Sequence, residues 1–147
     1  MGFFSKLFAG GTKIIDYKNG YYEGEVDADD RKHGQGTRYF DNGDKFVGTF
    51  CHGDFVIGTW YFTSGNKYVG EVDYRGYFEG KGTYYWKDGC KVVAEFRDNE
   101  PYYGTFYWPN GNSCKGHFKN FNLQGECIFY DKEGNAYVEQ RKDGRRV

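Results

Sequence analysis

A self-similar segment returns every 22 to 24 residues along this chain. A hairpin-sized repeat of that length cannot bury a hydrophobic face alone, so neighbouring copies must build the core together. The first landmark is Tyr22-Glu23-Gly24, followed by Phe46-Val47-Gly48, Tyr68-Val69-Gly70, Val92-Val93-Ala94, Cys114-Lys115-Gly116 and Tyr137-Val138-Glu139. Their first residues advance by 24, 22, 24, 22 and 23 positions. A second landmark falls midway, at Gly34-Gln35-Gly36, Ile57-Gly58, Gly80-Lys81-Gly82, Tyr103-Gly104 and Gln124-Gly125. Thr-x-Tyr follows the first four, as Thr37/Tyr39, Thr59/Tyr61, Thr83/Tyr85 and Thr105/Tyr107. The third landmark comes seven residues after the glycine in those four units, at Asn42-Gly43, Ser64-Gly65, Asp88-Gly89 and Asn110-Gly111, with Glu133-Gly134 as a longer version. Asn-Gly and Asp-Gly suit hairpin turns of the primed types, in which both central residues have φ > 0, so each unit is predicted to be a β-hairpin.

Period-two alternation puts Phe46, Gly48 and Phe50 on one face and Lys45, Val47 and Thr49 on the other. In the second strands Trp60/Phe62, Tyr84/Trp86 and Phe106/Trp108 point one way, and the Thr-x-Tyr pairs the other. Both faces carry rings. Strand glycines leave space for a ring or a neighbouring backbone, so rings are expected to stack over the glycine rows of adjacent units. With an opening strand Thr12–Tyr17 and a closing one Ala136–Arg141, the prediction is an all-β fold, a single elongated antiparallel meander of about twelve short strands. Composition agrees with a folded chain: 15 Tyr, 14 Phe and 3 Trp exclude disorder, and 2 Pro beside 23 Gly exclude collagen. A mean hydropathy of -0.87 points to a thin, aromatic core.

The run Tyr22-x-Gly24, a variable loop, His33-Gly34-Gln35-Gly36-Thr37-x-Tyr39 and Asp41-Asn42-Gly43 resembles the MORN (membrane occupation and recognition nexus) repeat. The resemblance extends over residues 12–140, about five units, with an apolar segment at 1–11 before it and a basic tail at 141–147 after it. The units at Phe46 and Val92 lack the first glycine of the Gly-x-Gly pair, and the unit at Cys114 keeps only part of the pattern. Proteins with these repeats include scaffolds at membrane junctions and in ciliary and cell-division structures, and repeat segments attached to lipid kinases and lysine methyltransferases. What the resemblance implies is therefore an elongated surface for a protein partner.

Charge excludes one class of partner. Twenty Lys+Arg against 21 Asp+Glu give -1, with a pI ≈ 6.3, which is not the balance of a nucleic-acid-binding domain. Lys45, Lys67 and Lys91 recur once per unit, but Glu71 and Glu95 recur beside them. Catalysis finds no constellation either. Cys51 and His52 are strand neighbours that point to opposite faces. The four cysteines are separated by 39, 24 and 13 residues without a Cys-x-x-Cys, so reduced thiols are the default. Asp27, Asp29 and Asp30 with Glu23 and Glu25 lack EF-hand spacing and are expected to form a solvated acidic loop. Gly34-Gln35-Gly36 precedes no helix, so it is strand glycine and not a phosphate cradle. No catalytic residue, metal ligand or cofactor is predicted, and the chain is read as a non-enzyme.

Two features remain for binding. Tyr39, Tyr61, Tyr85 and Tyr107 recur once per unit and are expected to form a ladder on one face, a surface suited to a peptide or helix. The alternative is that these rings are packed core. The second feature is the pair of ends: Phe3, Phe4 and Phe8 on an apolar segment, Arg145 and Arg146 in the basic tail. Together they suit peripheral binding to anionic phospholipids. Lys6 interrupts the N-terminal apolar run and Gly10-Gly11 end it too early for a secretory signal or membrane span, so a cytoplasmic location is expected, peripheral to a membrane or cytoskeleton. Open sheet edges allow a monomer or an end-to-end dimer.

Overall fold

The computed structural model describes residues 5–7 and 12–147; Phe3, Phe4 and Phe8 lie outside the described residues. Among the described residues every regular element is a strand, and no helix is long and apolar enough to cross a membrane. The chain divides into two units, Met1–Tyr77 and Phe78–Val147. The first holds β1 (Ser5–Leu7), β2 (Lys13–Tyr17), β3 (Gly20–Val26), β4 (Lys32–Phe40), β5 (Lys45–Cys51), β6 (Asp54–Tyr61) and β7 (Lys67–Val72). The second holds β8 (Phe78–Tyr85), β9 (Lys91–Arg97), β10 (Glu100–Tyr107), β11 (Ser113–Lys119), β12 (Asn122–Tyr130), β13 (Ala136–Lys142) and β14 (Arg145–Arg146). Within each unit, consecutive strands pair antiparallel in chain order, an open meander. The expected count of about twelve misses β1 and β14, which are too short to carry an alternation. Within residues 141–147, Arg141 pairs with Arg146 across a closing hairpin.

The turns reverse one expectation. At Asn42-Gly43 only the glycine has positive φ, 97°. The Gly43 amide donates to the Phe40 carbonyl at 2.9 Å and the Phe40 amide to the Asp44 carbonyl at 3.0 Å. That is a three-residue loop, a type I turn closed by a left-handed glycine. Gly65, Gly89, Gly111 and Gly134 repeat it, with donor–acceptor distances of 2.9 to 3.2 Å. The primed turns lie at the opposite hairpin ends, where both central residues have positive φ: His52-Gly53, Asp98-Asn99, Asn120-Phe121 and Asp143-Gly144.

Close to that end, pairing shifts register between Gly24 and Val26, Thr49 and Phe50, Pro101 and Tyr103, and Gly116 and His117. A bulge repeated at the same place in successive hairpins bends each sheet the same way and increases its twist. The face carrying Tyr22, Phe46, Tyr68, Val92 and Cys114 is the one that closes, and all five are 0% exposed. The rings there lie on glycine. A Cβ built at Gly36 would stand 2.2 to 2.4 Å from the Tyr22 ring, and one at Gly58 2.8 Å from the Phe46 ring. One at Gly48 would meet the Ile57 carbonyl oxygen at 2.2 Å. Tyr22 and Phe46 thus cover glycines of their own hairpin, while Trp60 and Phe55 reach Gly76 of the next one, where a Cβ would stand 3.1 and 3.4 Å from them. Edge-on contacts extend the packing from Tyr22 to Phe50 (5.1 Å) and from Phe46 to Phe55 (5.1 Å) and Trp60 (5.4 Å). Tyr22 keeps its hydroxyl satisfied by donating to the Glu25 carbonyl at 2.6 Å, and burial pushes that hydroxyl well above its ordinary pKa.

In the second unit two of the ring positions hold smaller groups, beside the buried Phe78, Phe96 and Phe118. Val92 sits beside Ala94, and Cys114 beside Cys127, where the first unit has rings beside glycine. Phe121, held at a φ of 65°, turns its ring onto Tyr84 (5.1 Å) and Trp86 (5.9 Å).

Equilibrium urea unfolding tests the ring-on-glycine contact. Phe46→Ala should cost about 3–5 kcal/mol, and Gly48→Ala, which removes nothing and adds one methyl, about 1–3 kcal/mol or more. Val47→Thr on the opposite face should change stability by less than about 0.5 kcal/mol. A neutral Gly48→Ala would show that close strand approach is not required.

Candidate protein-binding face

Residues on the face away from the rings fall into rows that cross the strands. In the first unit, Tyr21, Tyr39, Lys45, Tyr61 and Lys67 are successive register partners from β3 to β7. In the second unit, Tyr85, Lys91, Tyr107 and Ser113 continue the same scheme from β8 to β11. The four tyrosines singled out in the sequence therefore lie on this face, two in each unit, and each pair is separated by a lysine. Tyr21 stacks on Tyr39 with centroids 4.6 Å apart, and the Lys45 and Lys91 ammonium groups stand 5.2 and 5.0 Å from the Tyr61 and Tyr107 centroids. Such pairs hold a cation over the negative face of a ring and keep both side chains out from the sheet.

Exposure decides how much of each ring is available. Tyr61 and Tyr107 are 43% and 37% exposed, while Tyr39 and Tyr85 are half-buried. Burial first, then the neighbouring Tyr21 and Glu23, raises the Tyr39 hydroxyl pKa. A second row of β-branched residues runs alongside, Thr37, Val47, Thr59 and Val69 in the first unit and Thr83, Val93 and Thr105 in the second. In the second unit an open groove of ≈ 550 Å³ follows this row, walled by Lys81, Glu95, Tyr103 and Lys115. The interleaved lysines were visible in the sequence as a once-per-unit recurrence. What the spacing could not supply is the register that seats each between two rings.

The remaining polar clusters have structural partners. Asp27, expected in a solvated acidic loop, instead closes its turn. Its carboxylate accepts from the Asp29 and Arg31 amides at 2.9 and 3.0 Å, from Arg31 Nε at 2.8 Å and from His52 Nδ1 at 2.8 Å. The His52 bond, the largest influence, together with the backbone and Arg31 bonds outweighs the desolvation that opposes them and holds this carboxyl well below the usual range. Ligating atoms of His33, Cys51 and His52 lie within 4.8 Å of one another. His52 stands in the turn after β5 at a φ of 45° and not on the strand with Cys51, so the expected opposite-face placement does not hold; its amide donates to His33 Nδ1 at 3.1 Å and the two rings stack 4.3 Å apart. In the second unit Cys114 and Cys127 face Glu139, whose carboxylate is already engaged by Arg141 at 2.7 Å. A feature with no signal in the sequence is the buried Arg38, whose guanidinium is sandwiched between Tyr17 (4.4 Å) and Phe40 (4.3 Å) and donates to Asn19 Oδ1 and the Tyr39 carbonyl. At the C-terminal end Arg145 and Arg146 are exposed, with Arg146 3.6 Å from Glu139.

The MORN repeat family model matches residues 22–45, 68–91 and 103–113. This chain carries MORN repeats. The first two matches begin on Tyr22 and Tyr68, the rings that lie on the buried face, and end beyond the left-handed glycines Gly43 and Gly89. No curated protein matches the chain in sequence. Among solved structures, this chain is similar to the TCP domain of Drosophila melanogaster SAS-4 (dCPAP), in a complex with a proline-rich motif of Ana2 (dSTIL). That likeness has a TM-score of 0.55 at 12% identity and covers 99% of this chain and 88% of that one. It is also similar to the TCP10c domain of Drosophila melanogaster Sas-4, with a TM-score of 0.51 at 15% identity, covering 96% of this chain and 100% of that one. At these identities the likeness is one of fold.

The depressed Asp27 carboxyl gives stability that is complete above the unfolded carboxylate pKa of about 4 and is lost as pH falls through the lower folded value. Asp27→Asn should therefore unfold at a lower temperature than the parent chain at pH 7, with the gap narrowing steadily below about pH 4. Thermal melts across pH 2 to 7 would check this, and a gap independent of pH would contradict it.

Proposed function

We propose that this chain is a non-catalytic protein-binding module whose outer Tyr–Lys rows receive an extended, proline-rich segment of a partner. The observation that carries this reading is the spacing of Tyr39 and Tyr61, and likewise of Tyr85 and Tyr107, two strands apart in one row. Neighbouring strands lie about 4.7–4.9 Å apart, so rings two strands apart recur every ~9.4–9.8 Å. A polyproline II helix rises about 3.1 Å per residue with three residues per turn, so the same edge of such a ligand recurs every ~9.3 Å. A proline at every third position would meet successive tyrosines across the strands. Such helices carry no internal hydrogen bonds and dock on aromatic ridges with little ordering cost. The flanking lysines supply donors for the ligand's free carbonyls, and the Thr/Val row beside them supplies apolar area.

Three considerations support the reading beyond the spacing. The repeat class implies a binding surface, a domain of this fold is found in complex with a proline-rich motif, and the clustered His, Cys and Asp groups are engaged in turns and core packing. The cellular site proposed with it is the cytoplasm, at a membrane or cytoskeletal assembly. A second reading, peripheral binding to anionic phospholipids, rests on the exposed Arg145 and Arg146.

Fluorescence anisotropy with a labelled peptide carrying proline at every third residue tests the first reading. Tyr61→Ala and Tyr107→Ala should each weaken binding about tenfold or more, as loss of an aromatic anchor does, without moving the melting temperature. Unchanged affinity in both variants would remove these rings from the site. Sedimentation with anionic vesicles addresses the second reading: Arg145→Glu with Arg146→Glu should release the protein if the terminal hairpin binds lipid, and retained binding would exclude that hairpin.

A further inference from the structure

The buried ring and its glycine partner are replaced once in the repeat by two sulfur atoms. Tyr22 lies over Gly36 and Phe46 over Gly58; at the corresponding positions of the last full hairpin stand Cys114 on β11 and Cys127 on β12. The register fixes this correspondence, since Gly24 pairs with Gly36, Gly48 with Gly58, and Gly116 with Cys127. It also corrects the landmark read at Gln124-Gly125: the bulge beside Gly116 moves the equivalent position to Cys127, seven residues before Gly134 as in the other units. A ring at 114 would need a glycine at 127, and a thiol at each position fills the same space.

The two Sγ atoms are 2.7 Å apart, and the residues are 0% and 3% exposed. Disulfide sulfurs are about 2.05 Å apart, so little movement separates the thiol pair from the bond. A shared zinc fits less well: two thiolates at about 2.3 Å from one tetrahedral ion stand ~3.8 Å from each other. The third ligating group nearby, Glu139, is held by Arg141, whose guanidinium opposes a cation.

We propose that Cys114 and Cys127 are a redox site, closing into a cross-strand disulfide that locks β11 to β12 when a low-molecular-weight disulfide is the oxidant. The thiolate of one cysteine attacks the small disulfide, giving a mixed disulfide and releasing one small thiol. The second thiolate attacks the protein sulfur of that mixed disulfide, forming the Cys114–Cys127 bond and releasing the other small thiol. Two protein thiols are oxidised by two electrons, one disulfide is reduced to two thiols, and the two protons pass to the released thiolates. Burial, then the hydrogen bond shared with Cys127, pushes the Cys114 thiol up to about 12, so the exchange in the folded chain is slow at neutral pH and faster in alkali. The exposed Cys51 lies in the other unit and the half-buried Cys90 in the turn before β9, both outside this pair.

The test uses the full chain with Cys51→Ser and Cys90→Ser, reduced in denaturant and refolded into a series of oxidised and reduced glutathione mixtures. Refolding in the buffer lets the thiols reach the oxidant before burial. After acid quench and alkylation, mass spectrometry is expected to show one intramolecular disulfide, with a linked peptide pair covering 113–119 and 122–130. The oxidised protein should melt about 5–10 °C above the reduced one, as expected for a short closed loop. Full alkylation at every glutathione ratio would overturn the proposal. So would glutathione adducts or intermolecular disulfides as the main product, or an oxidised form that melts below the reduced one. The same mapping on the unsubstituted chain guards against an effect of the two serines.

Discussion

A ring can lie flat on a β-sheet only where the residue beneath it has no Cβ, and this chain is arranged around that condition. Tyr22 and Phe46 occupy space that any side chain at Gly36 or Gly58 would take, while the backbone at Gly48 approaches the next strand too closely for a methyl group. The contact fixes three things together. It sets the register, because ring and glycine must coincide across strands. It sets the inward face, because the rings close that face to solvent. It also makes each hairpin depend on its own pair, so that stability within a unit accrues hairpin by hairpin. The recurrent bulges supply the bend that lets a single-layered meander enclose those rings.

Where the condition is relaxed, the substitutions compensate. Val92 accompanies Ala94, and Cys114 accompanies Cys127, each smaller residue making room for a side chain where a glycine would otherwise lie. Cores tolerate such exchanges when total volume is kept. In the last case the exchange also introduces chemistry, because volume complementarity brings two thiols together. Phe121 is a further compensation: its backbone accepts a left-handed conformation, and its ring meets Tyr84 and Trp86.

The outer face follows from the inner one. Once the rings define which side is closed, alternation sends Tyr39, Tyr61, Tyr85 and Tyr107 to the other, and antiparallel pairing lays them in rows with the lysines that begin β5, β7 and β9. Because strand spacing is fixed by backbone hydrogen bonding, the distance between rings along a row is set by the sheet and not by the side chains. A repeat sheet of this kind therefore carries its outer rings at a fixed interval, with the period decided by how many strands separate equivalent residues.

The amino-acid sequence by itself determined the repeat, the hairpins, the two-faced alternation and the absence of charge bias, since each is a matter of local spacing. The repeating landmarks from Tyr22 to Gly134 mark the strands whatever the chain does globally. The tertiary structure decided the rest. Period-two alternation is symmetric, so it names two faces without saying which one closes; the bulges decided that. Asn42-Gly43 reads as a primed turn locally, yet the bulged hairpin leaves only the glycine left-handed and moves the primed turns to His52-Gly53 and Asn120-Phe121. The sandwich of Arg38 between Tyr17 and Phe40, the seating of Lys45 beside Tyr61, and the approach of Cys114 to Cys127 depend on register across strands. Register is a non-local property, fixed by which backbone groups pair after the sheet has bent, and it has no signature in the spacing along one strand.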